Sequence, residues 1–441
     1  MKRLLFCLVV LMAVFALVMP TYAAEMKVNG IWNTKAYAVD NYNGDDDNDD
    51  SFQYVTQRMR MYFNFISSEN LKLVYKNEID FQWGDSAFKT GRNDGGGLGG
   101  DTVNLETKNI YLEFMVPDTP VKATIGLQGV TLHKGWFISD DVSAARFDMN
   151  FDPVSVTTYV ALADGTERGD IDSSNDDWQI VASGAYKAEN MDARLTFGYE
   201  RLPNDDTTNP TPNNDNPDSN DLFLVMGEFN MSFDMFSFFV IAGKNFGEAD
   251  GKGNDTATNR NYDGYMAHVG GNVALDMATI RAQVIYASGD DEGDFDDDFR
   301  QMNGQTFSWS ELMSDGYTYD SNPANNQIGG SNHPSNMYAV NIGADFKPTD
   351  TTTIKLDAYY IGMVEDRTVA GSKEDEIGVE IDARLTQKIY DTLSLTLVGA
   401  YLFAEDGYGL YNGDPGDAAT TQATGAGDDA FQVGIGLDYK F

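Results

Sequence analysis

Acidic side chains are the most frequent residues here that could do chemistry, and two runs of them could attract a metal ion. The runs are GDDDNDD at 44–50 and GDDEGDFDDDF at 289–299. Carboxylate oxygens suit Ca²⁺, but neither run has the Gly and terminal Glu of a helix–loop–helix calcium site. The sequence therefore predicts no metal site and no cofactor, and it leaves open loose divalent cation binding by acidic loops.

Residues suited to catalysis are sparse. The three histidines, His133, His268 and His333, lie far apart with no nucleophile motif beside them, and GGGLGG at 95–100 does not follow the strand-to-helix pattern of a phosphate loop. Carboxylates are so numerous that the proximity of two indicates nothing. The sequence predicts that the protein is not an enzyme; a hydrolase using an acid and His133 or His333 at an outer rim is a rival.

Other charged residues lie within segments that are otherwise apolar. In QRMRMYFNFISSENLKLVYKNEIDFQWGD (57–85), Met59 and Met61 alternate with Arg58 and Arg60. A two-residue period places alternate side chains on opposite faces of a β-strand. The alternation therefore predicts strands that are apolar on one face and charged on the other.

The same period recurs along the chain in segments of about 9–13 residues, each of which predicts a strand. These segments are 26–39, 51–66, 71–83, 103–116, 121–130, 144–151, 154–163, 178–188, 191–201, 222–232, 235–245, 261–273, 277–288, 336–346, 353–364, 376–386, 392–403 and 430–441. They predict 18 strands, and 16 remains possible because the register of three segments is ambiguous. Short connections such as 67–70 alternate with long polar ones such as 202–221 and 289–335.

An apolar face on every strand requires an apolar medium, and no helical pattern is present to cover it. A free strand edge in hydrocarbon would leave backbone groups unpaired, so the sheet must close. The prediction is an all-β, transmembrane, antiparallel up-and-down β-barrel with short periplasmic turns and long extracellular loops. Aromatic residues at both ends of the strands, such as Trp83 and Tyr186, fit the two lipid interfaces.

A barrel of this size leaves an aqueous interior, so its inward charges are candidate pore-lining residues. The candidates are Arg58, Arg60, Lys76, Glu78, Asp80, Glu113, Lys122, Asp140, Asp141, Arg146, Arg194, Arg281 and Arg384. Arg58 and Arg60 could form a basic patch, or they could pair across strands with Glu78 and Asp80, as hairpin register allows.

The third long loop, GVTLHKGWFISDDVSA at 129–144, is the candidate for folding inward as a constriction. It contains Trp136 and Phe137, which an exposed outer loop would not favour. Asp140 and Asp141 would then face the basic wall. An outer loop packed on its neighbours is the alternative.

Residues 1–23 have the pattern of a cleaved signal peptide, with basic Lys2 and Arg3, an apolar stretch and small residues up to Ala23. Residues 24–441 then form the barrel. The only cysteine of the sequence, Cys7, lies outside this part. Residues 24–441 contain 28 basic and 69 acidic residues, which gives a net charge of −41. Such a charge excludes nucleic acid as a partner. Outer-membrane lipid and lipopolysaccharide are the expected surroundings.

Three stretches, 57–85, ETKNIYLEFMVPDTPVKATIGLQG (106–129) and GIGLDYKF (434–441), resemble the outer-membrane homotrimeric porins of sulfate-reducing bacteria. The resemblance implies a homotrimer of passive diffusion channels. Leu437, Tyr439 and Phe441 match the signal that the barrel assembly machinery recognises. The Pro-Glu-Phe-Gly-Gly constriction motif of general porins is absent from 129–144.

The expectation is therefore a porin of the cell outer membrane, with a water-filled channel for passive diffusion of ions and small hydrophilic solutes. The alternative is a solute-specific channel for a sugar or a small oxyanion such as sulfate. A plugged, mainly structural barrel is a third possibility.

Overall fold

The structure is a computed structural model that describes residues 25–41, 44, 51–85, 95–100, 103–164, 177–201, 219–250, 260–290, 297–302, 308–314, 316–317, 335–369, 372–408 and 427–441. Its strands are β1 (Glu25–Asp40), β2 (Phe52–Ser68), β3 (Leu71–Gln82), β4 (Glu106–Met115), β5 (Val121–Leu132), β6 (Ile138–Phe151), β7 (Val154–Asp164), β8 (Asp177–Lys187), β9 (Met191–Arg201), β10 (Ser219–Phe233), β11 (Phe236–Asp250), β12 (Arg260–Asn261), β13 (Tyr265–Ala274), β14 (Ala278–Ala287), β15 (Met337–Thr349), β16 (Thr352–Val369), β17 (Ser372–Tyr390), β18 (Leu393–Ala404) and β19 (Ala430–Lys440). No helix within these residues is long and apolar enough to cross a bilayer.

Eighteen of these strands form one closed antiparallel sheet, in which each strand pairs with the strands before and after it. The first and last strands close the ring, from Ile31 opposite Lys440 to Asp40 opposite Phe431. The two-residue β12 pairs with β11 beside β13, so the segment predicted as one strand at 261–273 is interrupted. The predicted up-and-down barrel of 18 strands is confirmed.

Adjacent residues of each wall strand face opposite media. On β9, Leu195 and Phe197 are exposed on the outer surface (63% and 46%), whereas the side chains of Thr196 and Glu200 are fully buried inside the barrel. The same alternation leaves Ile342 exposed on β15. The outer surface is therefore an apolar belt suited to lipid, and the polar and charged side chains lie inside.

Strands β5 and β6 extend beyond the wall into the barrel. Wall pairing ends at Leu127 opposite Ile110 and at Ser143 opposite Leu162, and from there the two strands pair with each other up to Leu132 opposite Ile138. We call residues 128–142 the constriction hairpin. Its tip is the 3₁₀ turn His133–Gly135. The predicted loop 129–144 is thus largely strand, because both of its sides continue the hydrogen-bonded ladder.

A glycine permits this departure from the wall. Gly126 has a φ of +127°, and a Cβ atom there would collide with the carbonyl oxygen of Ile110. Residues with a side chain rarely adopt this conformation, and close backbone approach also requires glycine.

Part of the connection 289–335, expected to be an outer loop, also packs inside the barrel. We call residues 297–302, 308–314 and 316–317 the second inward segment. Its side chains Phe299, Met302, Leu312 and Met313 are buried in the same apolar cluster as the tip of the constriction hairpin. The expectation of an outer loop was wrong here, because these apolar side chains are removed from water by packing on the inner wall.

Candidate functional site

The tip of the constriction hairpin binds the inner wall at β9 and β10, which are not neighbours of β5 or β6. The Nε2 atom of His133 lies 2.7 Å from the Thr196 hydroxyl, and its Nδ1 atom lies 3.4 Å from a carboxylate oxygen of Glu228. Burial lowers the pKa of the His133 imidazole, and the interaction with Glu228 opposes this shift. Lys134 lies over the ring of Phe239, 3.4 Å from its centroid.

The order hydroxyl, imidazole, carboxylate in this contact is that of a nucleophile, its base and an orienting acid. However, the Thr196 side chain is fully buried and is also hydrogen-bonded to Ser183 at 2.8 Å. A substrate carbonyl could not approach that hydroxyl. The contact serves to hold the hairpin tip on the wall. His333, the other histidine considered for a hydrolase, lies outside the described residues.

A second contact joins the tip to β13. The indole N–H of Trp136 donates to Nδ1 of His268 at 2.9 Å, and Nε2 of His268 lies 3.0 Å from Oε1 of Gln283 on β14. Trp136 is fully buried. Phe137 lies against Gly198 of β9. A Cβ atom on residue 198 would be 2.6 Å from the Phe137 ring and would also collide with Met302.

The constriction hairpin and the second inward segment meet inside the barrel. The rings of Trp136 and Phe299 pack edge to face with centroids 6.4 Å apart, and the Gln301 amide donates to the Gly135 carbonyl at 3.4 Å. The two segments therefore form one obstruction that extends from the β5–β6 side of the barrel toward β9–β13 and β17.

The second inward segment is fixed to β17 through its backbone. The N–H groups of Glu311, Leu312 and Met313 donate to the Glu380 carboxylate at 3.0, 2.7 and 3.2 Å, and the Glu311 side chain pairs with Arg384. The Glu380 side chain is fully buried. Backbone hydrogen bonds and an ion pair thus hold the second inward segment on β17 together. The sequence did not predict this contact.

A third anchor involves Tyr317, at the end of the described part of this segment. Its hydroxyl donates to Asp438 of β19 at 2.7 Å, and Lys35 of β1 donates to its carbonyl at 2.6 Å. Burial and the neighbouring Asp438 carboxylate raise the pKa of the Tyr317 phenol. The phenol therefore stays neutral and keeps its proton for this hydrogen bond.

The predicted basic patch is an ion-paired cluster. Arg58 lies 2.8 Å from Asp80 and 3.5 Å from Glu78, and Arg60 also pairs with Glu78. The register of β2 and β3 places Arg58 opposite Asp80 and Arg60 opposite Glu78. Of the two readings left open by the sequence, cross-strand pairing describes the contacts in the structure.

Alternating charges also form a belt across four neighbouring strands. Lys72 lies 3.0 Å from Glu113, Glu113 lies 3.7 Å from Lys122, and Lys122 lies 3.8 Å from Asp148. Arg146 completes the belt with a 2.9 Å contact to Asp148. The Lys122 side chain is 42% exposed, so a solute in the interior could reach this belt.

Other candidate pore-lining cations have different partners. Arg281 lies 2.9 Å from Asp357 and 3.1 Å from Asp345, whereas Arg194 donates to the Ser183 hydroxyl at 3.0 Å. Lys76 lies over the ring of Tyr62, 5.1 Å from its centroid.

The two acids of the constriction hairpin differ in role. Asp141 pairs with Lys108 of β4 at 2.7 Å and accepts a hydrogen bond from Asn109 at 2.7 Å, so it ties the hairpin to the wall. Asp140 accepts a hydrogen bond from the Asp141 backbone N–H at 2.7 Å.

The C-terminal residues lie at the seam of the barrel. Phe441 exchanges two backbone hydrogen bonds with Gly30 of β1, at 2.9 and 3.1 Å, and its ring stacks on Tyr439 with centroids 5.7 Å apart. Tyr439 and Phe441 are exposed on the outer surface, and Leu437 is partly exposed beside them.

The acidic runs considered for divalent cations lie mainly outside the described residues, since 45–50 and 291–296 are not described. Within the described part of the chain, no group of three or more His, Cys, Asp or Glu side chains has the arrangement of a metal site.

No protein-family model and no curated protein sequence matches this chain. Its fold is similar to solved Pseudomonas aeruginosa structures at low sequence identity. OpdQ is 10% identical, with 94% of this chain and 97% of that chain covered and a TM-score of 0.59. OpdK, solved with vanillate, is 9% identical, with 95% and 98% covered and a TM-score of 0.56. OccK2 (OpdF), in complex with glucuronate, is 10% identical, with 96% and 99% covered and a TM-score of 0.55.

Proposed function

We propose that this protein is an outer-membrane porin whose water-filled channel lets ions and small hydrophilic solutes diffuse passively. One observation carries the proposal: a closed sheet of 18 strands with an apolar outer surface and charged side chains inside. Barrels of 16 to 18 strands enclose an aqueous channel. The solved structures of similar fold are outer-membrane channels, which supports the same function.

The membrane setting follows from the outer surface. Trp83 and Phe403 are exposed at the long-loop ends of their strands, and Tyr186 and Tyr439 are exposed at the short-turn ends, as in the aromatic girdles of membrane barrels. Outer-membrane lipid and lipopolysaccharide would surround this belt. Residues 1–23 would direct export and be removed near Ala23, and the barrel assembly machinery would recognise Leu437, Tyr439 and Phe441.

A homotrimer remains part of the proposal, on the strength of the resemblance to homotrimeric porins of sulfate-reducing bacteria. Cross-linking of the protein in outer membranes, followed by mild detergent extraction, tests it. A cross-linked trimer band that survives heating, together with a trimer that dissociates to monomer on heating when no cross-linker is added, supports the proposal, and a monomer at every cross-linker concentration contradicts it.

The channel is tested by single-channel recording in a planar bilayer with the folded protein purified in detergent. We expect discrete current steps whose size grows with salt concentration, because ions cross through water. Folding is checked in the same sample by circular dichroism of the β-sheet and by a heat-dependent shift in gel mobility. A folded barrel that gives no current would contradict the proposal.

A solute-specific channel is the second candidate, and the contact between the two inward segments favours it. An interior narrowed by Trp136, Phe299 and Gly135 leaves less room for indiscriminate passage. Vanillate and glucuronate, which accompany two of the similar structures, are suitable first probes, together with sulfate and a neutral sugar. Current that one of them blocks saturably supports specificity, and unblocked current that is linear in concentration supports the general channel.

A further inference from the structure

We propose that the contact between Trp136 and His268 is a proton-operated gate, in which protonation of His268 releases the hairpin tip and widens the channel. The inference rests on the proposed channel function, because it assigns a regulation to the same constriction. It is carried by the hydrogen-bonding roles of the two side chains and by the position of Trp136 between the two inward segments.

The docked tip fixes the tautomer of His268. An indole N–H can only donate a hydrogen bond, so the Nδ1 atom that receives it from Trp136 at 2.9 Å must carry no proton. The proton of the neutral ring is then on Nε2, which donates to Oε1 of Gln283 at 3.0 Å. Both ring nitrogens are thus used, and the ring is neutral.

Protonation reverses the role of one of these nitrogens. In the imidazolium form both ring nitrogens are donors, so an N–H on Nδ1 would point at the indole N–H of Trp136. Two donors at 2.9 Å cannot form a hydrogen bond, and the buried ring cannot turn to water while the tip is docked. The charged ring and the docked indole are therefore incompatible.

The described groups beside His268 include two neutral side chains and one cation. Phe239 of β11 packs its ring edge to face on the imidazole at 4.7 Å, Gln283 of β14 is neutral, and the hairpin tip contributes the cation Lys134. A second positive charge on His268 would be repelled by Lys134.

The other histidine of the tip behaves differently. His133 faces Glu228 of β10 through Nδ1, and Lys134, Asp192 and Arg194 lie around the same contact. Its Nε2 atom faces the Thr196 hydroxyl, which can accept as well as donate. Protonated His133 can therefore keep both partners, so the reversal is specific to His268.

Release of Trp136 has a direct effect on the obstruction. The tip lies beyond the point where β5 and β6 pair with the wall, so its position depends on side-chain contacts. Phe299 of the second inward segment packs on the same indole. A proton on His268 thus loosens the tip and the contact between the two segments together.

The expected size follows from proton linkage. If the docked tip accepts only the neutral ring and the released tip has the ordinary histidine pKa of about 6.5, acidification favours release. Docking is then fully favoured above about pH 6.5 and lost as the pH falls below it. Between pH 7.5 and pH 5.0 the ratio of released to docked channels rises by up to about 30-fold.

The test is single-channel recording at pH 7.5, 6.5, 5.5 and 5.0, with the full-length folded protein and three variants. In the wild-type protein we expect two conductance states, the larger of which is the released channel. The ratio of time spent in the larger state to time spent in the smaller one should rise by up to about 30-fold between pH 7.5 and pH 5.0. His268→Gln keeps an acceptor for Trp136 and a donor for Gln283 but cannot be protonated, so its currents should not change with pH. Trp136→Phe removes the conflicting N–H and should also suppress the pH response.

His133→Gln is the matched control, because it removes the other histidine of the tip and should retain the pH response. The proposal is overturned if wild-type currents are the same from pH 7.5 to 5.0, or if His268→Gln responds as the wild type does. It is also overturned if the response disappears only in His133→Gln. Current that is independent of pH contradicts the gate alone, whereas a folded barrel without current at any pH contradicts the channel as well.

Discussion

Replacing Trp136 with alanine should release the constriction hairpin while leaving the barrel wall intact. The side chain is fully buried at the hairpin tip, contacts Phe299 and donates a hydrogen bond to His268. Truncation of a buried tryptophan costs about 3–5 kcal/mol. Because the wall strands do not depend on this contact, the cost falls on docking of the tip, and even 3 kcal/mol shifts the ratio of released to docked tips about a hundredfold.

The assay is the swelling rate of liposomes that contain the protein, measured with neutral sugars of increasing size. Trp136→Ala should admit larger sugars than the wild type and show a larger single-channel conductance at neutral pH. Trypsin provides a second measurement, since Lys134 at the tip becomes a cleavage site when the hairpin is released. Trp83→Ala is the matched control, because Trp83 is a tryptophan 53% exposed on the outer surface.

The reasoning is refuted if Trp136→Ala has the size limit and conductance of the wild type while its barrel is folded. Loss of the folded barrel in Trp136→Ala, with Trp83→Ala intact, would also contradict it, because Trp136 would then stabilise the wall rather than the tip.

Three further predictions concern the charges. Arg58→Ala leaves Glu78 and Asp80 buried without the cation that they share. The free energy of unfolding in detergent should fall by about 3–5 kcal/mol, and the channel should select cations more strongly. The double variant Arg58→Ala/Asp80→Ala should recover part of that stability, and an equal or greater loss would contradict the pairing. The acidic loops should make the channel weakly selective for potassium over chloride, as measured by the zero-current potential in a salt gradient. This selectivity should decline between 0.1 M and 1 M salt, because the screening length falls from about 10 to 3 Å. A preference for chloride would contradict the prediction. Glu380→Ala leaves the backbone N–H groups of Leu312 and Met313 without their acceptor, at about 1–3 kcal/mol each, whereas the Glu311 N–H keeps Asp382 at 3.1 Å. Conductance should therefore rise. Exposed Asp375→Ala is the control, and equal conductance in both variants would contradict the anchor.

The wall could be predicted because its signal is local. Every wall strand has one face in an apolar medium, so the two-residue period appears within each strand whatever its partners are. The segment predicted at 191–201 is β9, Met191–Arg201, and most other strands differ from their predictions by a few residues. Register was also predictable where a short turn fixes it, as for Arg58 opposite Asp80.

The interior could be predicted only in part, because its contacts join residues distant in sequence. Glu311 pairs with Arg384, which is 73 residues away, and no local pattern encodes that distance. A compositional signal was nevertheless present, since the connection includes apolar residues such as Phe299, Trp309 and Leu312 among its many polar ones. Trp136 and Phe137 are the corresponding signal in 129–144, and the same kind of signal in 289–335 indicates the second inward segment.

Cysteine accessibility in a conducting channel tests most directly that the inside of the barrel is wet and the outside is in lipid. The chain beyond residue 23 has no cysteine, so Leu112→Cys and Glu113→Cys report on adjacent outward and inward positions of β4. A charged, membrane-impermeant thiol reagent should alter the current of Glu113→Cys and leave that of Leu112→Cys unchanged. Equal reaction at both positions, or reaction at Leu112→Cys alone, would contradict the account.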